Sequence, residues 1–324
     1  MKTCWIVTKE HEAVLEWREA AVPQPKAGEV QIRVHASALN RGELVVGGAV
    51  HGGPEKMGGN EAAGVVTAVG AGVTQFKTGD RVFGRIRGAF SEYAAGPAHQ
   101  LMPLPSCLSF EQGAAVPVAF LTGYEMLYAP YGNLKAGETL LITGASAGVG
   151  AACIQMAKVI GAKTIGTSGS ADKLEKLKAI GLDVALQTRK PDFAAKVLEA
   201  TGGKGADLAV NLVGGTVFAE CIRSLARKGR LTVVGYVDGS LSAEIDMNAV
   251  HVNRLVVFGV SNAKATQDER AKTVADFARD VLPALADGRI VPLIDRVFEF
   301  KDLPAAKAHM ESSAMTGKVV VRVQ

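Results

Sequence analysis

At 324 residues the chain is too long for one comfortable hydrophobic core and reads as two domains. Apolar residues make up 48% and charged residues 21%, an ordinary globular composition that excludes the disordered and collagen-like classes. The formal net charge is only +4 and the Lys and Arg residues are interleaved with acids, so the clustered basic surface of a nucleic-acid binder is excluded as well.

Cys4, Cys107, Cys153 and Cys221 lie far apart without paired spacing. They read as small buried apolar residues in a reducing compartment, rather than as a disulfide framework or zinc knuckle. The opening Met-Lys-Thr-Cys-Trp-Ile-Val lacks a signal-type apolar region, and no run of about 18 apolar residues occurs, so a cytoplasmic protein without membrane partners is expected.

Residues 4–7, 14–17 and 30–34 are compact β-type runs punctuated by Pro23, Pro25 and the turn at 26–29. Residues 64–70, 79–83 and 90–94 continue the pattern, which predicts an all-β, partly barrel-like domain. The stretch 46–60 is too rich in glycine for regular structure and is read either as a loop at the mouth of a site or as a long surface connection. Helical spacing returns from Phe110 through Tyr128 and leads into the next domain.

The stretch that organises the chain is 139–168. A five-residue apolar strand enters the turn Gly144-Ala-Ser-Ala-Gly-Val-Gly150, a helix runs to Gly161 as its C-terminal cap, and a second apolar strand ends near Ser168. This is the pattern of a dinucleotide-binding βαβ unit, in which Gly148 and Gly150 let the backbone approach a pyrophosphate at a helix N-terminus. The motif reads Ala145-x-x-Gly148-x-Gly150, so one fingerprint glycine has become alanine, and Val149 lies inside the turn. At the tip of the second strand, Gly166-Thr-Ser-Gly-Ser-Ala-Asp-Lys173 offers no carboxylate to hold both ribose hydroxyls. Ser168 and Ser170 donate hydrogen bonds and Lys173 brings positive charge, which reads as NADPH binding; Ser170 equally suits a helix cap and Lys173 a solvated first-turn residue.

Strands are predicted at 139–143, 163–167, 183–186, 207–211, 230–235 and 255–260, with helices between most of them, giving a doubly wound parallel sheet with its ligand at the carboxyl ends. Those ends carry Gly214, Gly235-Tyr236 and Gly259-Val260-Ser261, as turn glycines or as the lining of a cofactor groove. A single amphipathic helix is expected over 268–286, then a strand at 296–300, a helix at 303–310 and a strand at 317–323 that returns to the first domain.

In order and spacing, Pro25-x-x-Gly-Glu-Val30, Leu39-Asn40, Gly59-x-Glu61-x-x-Gly64, Gly79-Asp-Arg-Val82, Ala145-x-x-Gly148-Val-Gly150 and Thr316-Gly-Lys-Val-Val320 resemble the medium-chain dehydrogenase/reductase superfamily, specifically its zinc-independent quinone oxidoreductase branch. The resemblance implies an α/β protein with a GroES-like β-rich catalytic domain (1–118 and 264–324) and a Rossmann domain with a doubly wound parallel six-stranded sheet (119–263). Zinc-dependent members carry cysteine and histidine where this chain has Asn40 and Asn60, so no metal is expected.

What remains is hydride transfer from NADPH to a small electrophilic substrate, either a quinone or the C=C bond of an α,β-unsaturated carbonyl. The alternative is a non-catalytic NADPH-binding structural or regulatory protein. By resemblance Asn40 is the active-site asparagine and Thr122 lies near the nicotinamide. The proton donor stays open among Tyr124, Arg41, His51, Glu61 and water. Thr188-Arg189 stands where relatives often have tyrosine or histidine near the adenosine, and Ser313 where some have arginine near the 2′-phosphate. The resemblance also implies a homodimer paired through the last strand of the Rossmann sheet, and the run 255–260 is apolar enough for that role.

Overall fold

The computed structural model describes residues 1–9, 12–44, 55–128, 130–262 and 264–324. The chain divides into two compact units, 1–121 with 263–324, and 122–262.

In chain order the first unit opens with strands β1 (Lys2–Lys9), β2 (Glu12–Glu19) and β3 (Glu29–Ala38), then the short helix α1 (Arg41–Leu44). Strands β4 (Glu55–Met57), β5 (Glu61–Val69), β6 (Arg81–Arg85), β7 (Tyr93–Pro97) and β8 (Leu101–Pro103) follow, and then helix α2 (Phe110–Ala114) and helix α3 (Pro117–Leu127), within which the first unit ends at Leu121 and the second begins at Thr122.

Strands β1, β2 and β4 form a small antiparallel sheet. The larger sheet is centred on β3, whose first half pairs with β7 and whose last residues pair with the C-terminal strand. Register shifts where β3 meets β5, at Gln31/Ile32 and Val34/Ala36, add twist and curl the sheet toward the expected barrel-like form. Alternate residues Val30, Ile32 and Val34 point inward with Val66, Val82 and Ile86 to form its core.

The second unit continues with β9 (Thr139–Thr143), α4 (Gly148–Ile160), β10 (Lys163–Ser168), α5 (Ala171–Lys178), β11 (Val184–Gln187) and α6 (Ala194–Ala200). It closes with β12 (Ala206–Asn211), α7 (Phe218–Arg223), β13 (Leu225–Val233), α8 (Met247–Asn253) and β14 (Val256–Gly259). Among the described residues the six strands run parallel in the order β11-β10-β9-β12-β13-β14, the doubly wound arrangement that the alternation of strands and helices predicts. Returning to the first unit are α9 (Gln267–Asp280), α10 (Leu282–Ala286), β15 (Ile294–Glu299), α11 (Leu303–Glu311) and β16 (Lys318–Arg322).

Four local expectations need correction. Glu55–Met57 of the glycine-rich stretch forms β4, held by pairing with β1, whereas 45–54, including His51, lies outside the described residues. The helix expected over 268–286 breaks at Val281, because Pro283 in the first turn of α10 lacks the N–H that would continue it. Pro117 likewise separates α2 from α3. Cys107 is exposed, with its Sγ 3.4 Å from the Ala286 carbonyl, while Cys4, Cys153 and Cys221 are buried as expected; burial pushes the Cys4 thiol up to about 12.

Candidate functional site

The turn after β9 is built for close approach. Gly144 takes the left-handed conformation (φ 64°) that reverses the chain. A Cβ on Gly150 would fall 2.5 Å from the Ala145 carbonyl oxygen, so only glycine lets α4 seat against the turn. Ala145, where a glycine is usual, is fully buried, and its N–H donates to Thr167 O at 2.9 Å. Its methyl group occupies space left by Gly166 on β10, where an added Cβ would meet it at 2.9 Å. The lost glycine is thus offset by one on the neighbouring strand. Helix α4 begins at Gly148 and Val149 with Ala147 as N-cap and no side-chain cap bond, which leaves the positive end of its dipole for an anion.

At the carboxyl end of β10, Ser168 is buried and its hydroxyl lies 3.4 Å from that of Ser146. Ser170 caps α5 by accepting from the Lys173 N–H, so its capping role is real, and it places Lys173 in the first turn beside the strand tip. No carboxylate stands in the Ser168-Gly169-Ser170 turn.

The remaining strand ends lie level with β9, since Asn211 pairs with both Thr143 and Val233, and Val233 pairs with Gly259. The Asn211 side chain ties down its own loop by accepting from the Val213 and Gly214 N–H groups and donating to Gly214 O. Gly214 (φ 132°) lies against the Asp238 carboxylate, which accepts from Thr216 and Ser240 and is held below the usual carboxylate range by those bonds, against the opposing effect of burial. Gly235 and the exposed Tyr236 follow β13, while Gly259, Val260 and Ser261 end β14, with the Val260 N–H donating to Val233 O. All the residues proposed from the sequence to hold the cofactor therefore sit on one edge of one sheet.

In the first unit Asn40 is locked into a buried charge network. The Lys318 ammonium donates to Asn40 Oδ1 (2.7 Å), Leu39 O (2.9 Å) and Glu61 Oε1 (2.8 Å), which uses all three of its protons. Asn40 Nδ2 donates to Glu61 Oε1 at 2.7 Å, and Glu61 Oε2 accepts from the Val118 N–H at 2.6 Å. Because an ammonium can only donate and a carboxylate only accept, the orientation of the Asn40 amide is fixed by its neighbours. One Nδ2 proton is left without a partner among the described residues. Glu61 is thus a structural carboxylate paired with a cation, a role the sequence allowed beside that of acid.

Two participants escaped sequence reasoning. Lys318 was legible only as a lone cation opening the apolar run Val319–Val321. Glu43, on α1, is buried, accepts from the Gly59 N–H at 2.6 Å through Oε1 and has its Oε2 buried without a partner among the described residues. Burial pushes its carboxyl up to about 7.

Among the acids considered from the sequence, Arg41 donates to Met310 O and Ser313 Oγ, and so fixes Ser313 at the end of α11. Tyr124 is buried, stacked on Tyr128 at 4.3 Å, and Thr122 is buried on α3.

Two family models match the chain: "Alcohol dehydrogenase GroES-like domain" over residues 26–106 and "Zinc-binding dehydrogenase" over 148–279. The chain belongs to the medium-chain dehydrogenase/reductase superfamily. Within this superfamily it falls in the quinone oxidoreductase branch. It is 34% identical over 200 residues to the quinone oxidoreductase of Homo sapiens, covering 60% of each chain. The matched segment is only 5% of the polyketide synthase chains to which it is also similar.

Among solved structures, Escherichia coli quinone oxidoreductase complexed with NADPH superposes with a TM-score of 0.88 at 27% identity over 100% of both chains. The CurK enoyl reductase does so with a TM-score of 0.83 at 25% identity, over 99% of this chain and 100% of that one. These likenesses bear out the α/β fold of a GroES-like unit and a Rossmann sheet.

The name of the second family model refers to zinc, and the residues here do not fit that ion. The positions where the resemblance implies zinc ligands carry Asn40 and Asn60, amides in place of thiolate or imidazole, and a cationic ammonium lies 2.7 Å from Asn40 Oδ1. No cluster of three or more His, Cys, Asp or Glu side chains able to hold a metal occurs among the described residues, and no helix there is long and apolar enough to cross a membrane.

Proposed function

We propose that this medium-chain reductase is a zinc-independent oxidoreductase that uses NADPH to reduce a quinone or the C=C bond of an α,β-unsaturated carbonyl. The observation that carries the reading is the β9–α4 turn, whose uncapped helix N-terminus and Gly150 approach suit a pyrophosphate, next to a β10 tip without a carboxylate. The NADPH complex of the Escherichia coli relative and the enoyl reductase CurK support the same cofactor and reaction class. Ala145, Gly148, Val149 and Gly150 would hold the pyrophosphate; Ser168, Ser170 and Lys173 the ribose end; Gly214, Gly235, Tyr236, Gly259, Val260 and Ser261 the rest of the dinucleotide, with Thr122 by the nicotinamide.

NADPH, when bound, supplies a hydride. The chain's own residues position and polarise. Asn40, its amide oriented by Lys318 and Glu61, offers its one open N–H to the substrate carbonyl oxygen, where negative charge grows as the acceptor is reduced. The balancing proton reaches the α-carbon or oxygen from water. A homodimer joined along β14, the sheet edge bearing exposed Val256 and Val257, completes the proposal.

Anaerobic oxidation of NADPH and NADH, side by side against quinones, enals and enones with chelator present, tests this. Turnover that prefers NADPH and survives chelation is expected. Tight NADPH binding with no turnover on any acceptor would overturn the reductase reading in favour of a non-catalytic binder.

A further inference from the structure

The entry into β16 is held at both ends of the segment that precedes it. Arg41, which directly follows Asn40, donates to Met310 O at 3.1 Å and to Ser313 Oγ at 3.0 Å, and so fixes where α11 stops. At the far end Asp295 Oδ1 accepts from the Thr316 N–H at 3.0 Å. Gly317 (φ 89°) then passes so close to the chain entering β15 that a Cβ on it would fall 2.3 Å from Leu293 O. Lys318 pairs with Ile294 and donates its N–H to Leu293 O at 2.9 Å, with its ammonium on Leu39 O, Asn40 Oδ1 and Glu61 Oε1.

Asp295 reaches Thr316 because of an irregularity in the sheet. The register of β15 on β16 shifts between Ile294 and Arg296, so Asp295 is the extra residue of a bulge, a device that re-aims a side chain. Its Oδ2 lies 2.7 Å from His309 Nε2 in the last turn of α11. A carboxylate can only accept, so the imidazole donates through Nε2. The two side chains are 11% and 18% exposed, sheltered enough for the pair to keep one geometry. The Thr316 hydroxyl is buried without a partner among the described residues, which leaves the N–H bond to Asp295 as the tie at this residue.

We infer that Asp295 and His309 are positioning residues for the proposed reduction. They set the place of residues 316–318 and, through the Lys318 ammonium, the aim of the Asn40 N–H at the substrate oxygen. This rests on the reading of Asn40 given above. Lys318 is buried and its three protons are committed to three fixed acceptors, so a shift of its backbone is passed on to the amide it holds.

Steady-state oxidation of NADPH with the fastest acceptor of the quinone, enal and enone panel tests the assignment. Asp295→Ala is expected to lower kcat about tenfold, the size of one lost hydrogen bond, and to leave KM for NADPH within about twofold. His309→Leu is expected to lower kcat in the same way, and His309→Gln, whose amide can donate to Asp295, to recover most of the rate. In an Asn40→Ala background, adding Asp295→Ala is expected to change kcat by less than about twofold, because a residue acting through Asn40 has nothing left to position. If Asp295→Ala does not fold, His309→Leu takes its place in this cycle. In the cofactor-free protein the NMR signals of the Asn40 side-chain amide should move in His309→Leu and return in His309→Gln. Full additivity with Asn40→Ala, or a wild-type kcat in Asp295→Ala and His309→Leu, would overturn the assignment and leave the reading of Asn40 standing. A wild-type kcat in Asn40→Ala would overturn both.

Discussion

Burial of Glu43 makes the stability of the first unit depend on pH in a direction opposite to that of most carboxylates. Its carboxyl is raised from 4.5 to about 7, chiefly because the charged form would be desolvated, so the folded chain holds a proton that the unfolded chain releases. Below pH 4.5 both states are protonated and the contribution is fully present. Between 4.5 and 7 the unfolded state binds fewer protons, so stability falls as pH rises, and it levels off above 7. At about 1.4 kcal/mol per pH unit the loss between pH 5 and pH 8 is about 2–3 kcal/mol. Glu43→Gln keeps the shape and the acceptor for the Gly59 N–H but cannot ionise. Urea unfolding of the two proteins from pH 5 to pH 8 should therefore show the variant gaining on the wild type by about that amount. A stability difference that is flat with pH, or that favours the wild type increasingly as pH rises, would refute a neutral buried Glu43.

Lys318→Met removes the cation facing a carboxylate that is fully buried, so about 3–5 kcal/mol of stability should be lost, with part of it restored by adding Glu61→Gln. Because the same change frees the Asn40 amide to rotate, kcat should fall while NADPH affinity holds; equal stability and unchanged kcat would remove Lys318 from the positioning role. Light scattering should show a dimer, and Val257→Lys on the exposed edge strand β14 should give a monomer; a wild-type monomer would dismiss the edge as an interface.

The second unit was legible in outline because its signals are local. Strand-to-helix alternation, the Gly144–Gly150 turn and the Gly161 cap each follow from a few consecutive residues, and β9 begins and ends where the apolar run does. Helix breaks at Val281 and before Pro117 were missed because amphipathic spacing runs through them, although the prolines themselves were visible. The Asn40 network was hidden for a different reason: its members stand at positions 40, 61, 118 and 318, and only antiparallel pairing of β16 with β3 and of β3 with β5 brings them together. Arg189 could be seen in the sequence as a departure from a common pattern, but the sequence did not show that its side chain lies where a Cβ on Gly169, twenty residues earlier, would fall.

In the proposed reaction Asn40 stands where a Lewis acid would otherwise act. A Lewis acid gains its effect from a full positive charge held at the substrate oxygen, and an amide N–H carries only a partial one. Lys318 stands behind that amide, and its ammonium polarises the Asn40 carbonyl and strengthens the donor on the other side, as linked hydrogen bonds do in a low-dielectric setting. Glu61 offsets the ammonium, so the unit avoids an unpaired buried charge. In the proposed reaction such a modest donor would suit an acceptor that is already electron-poor, such as a quinone or enone, whereas abstracting hydride from an alcohol requires a stabilised alkoxide.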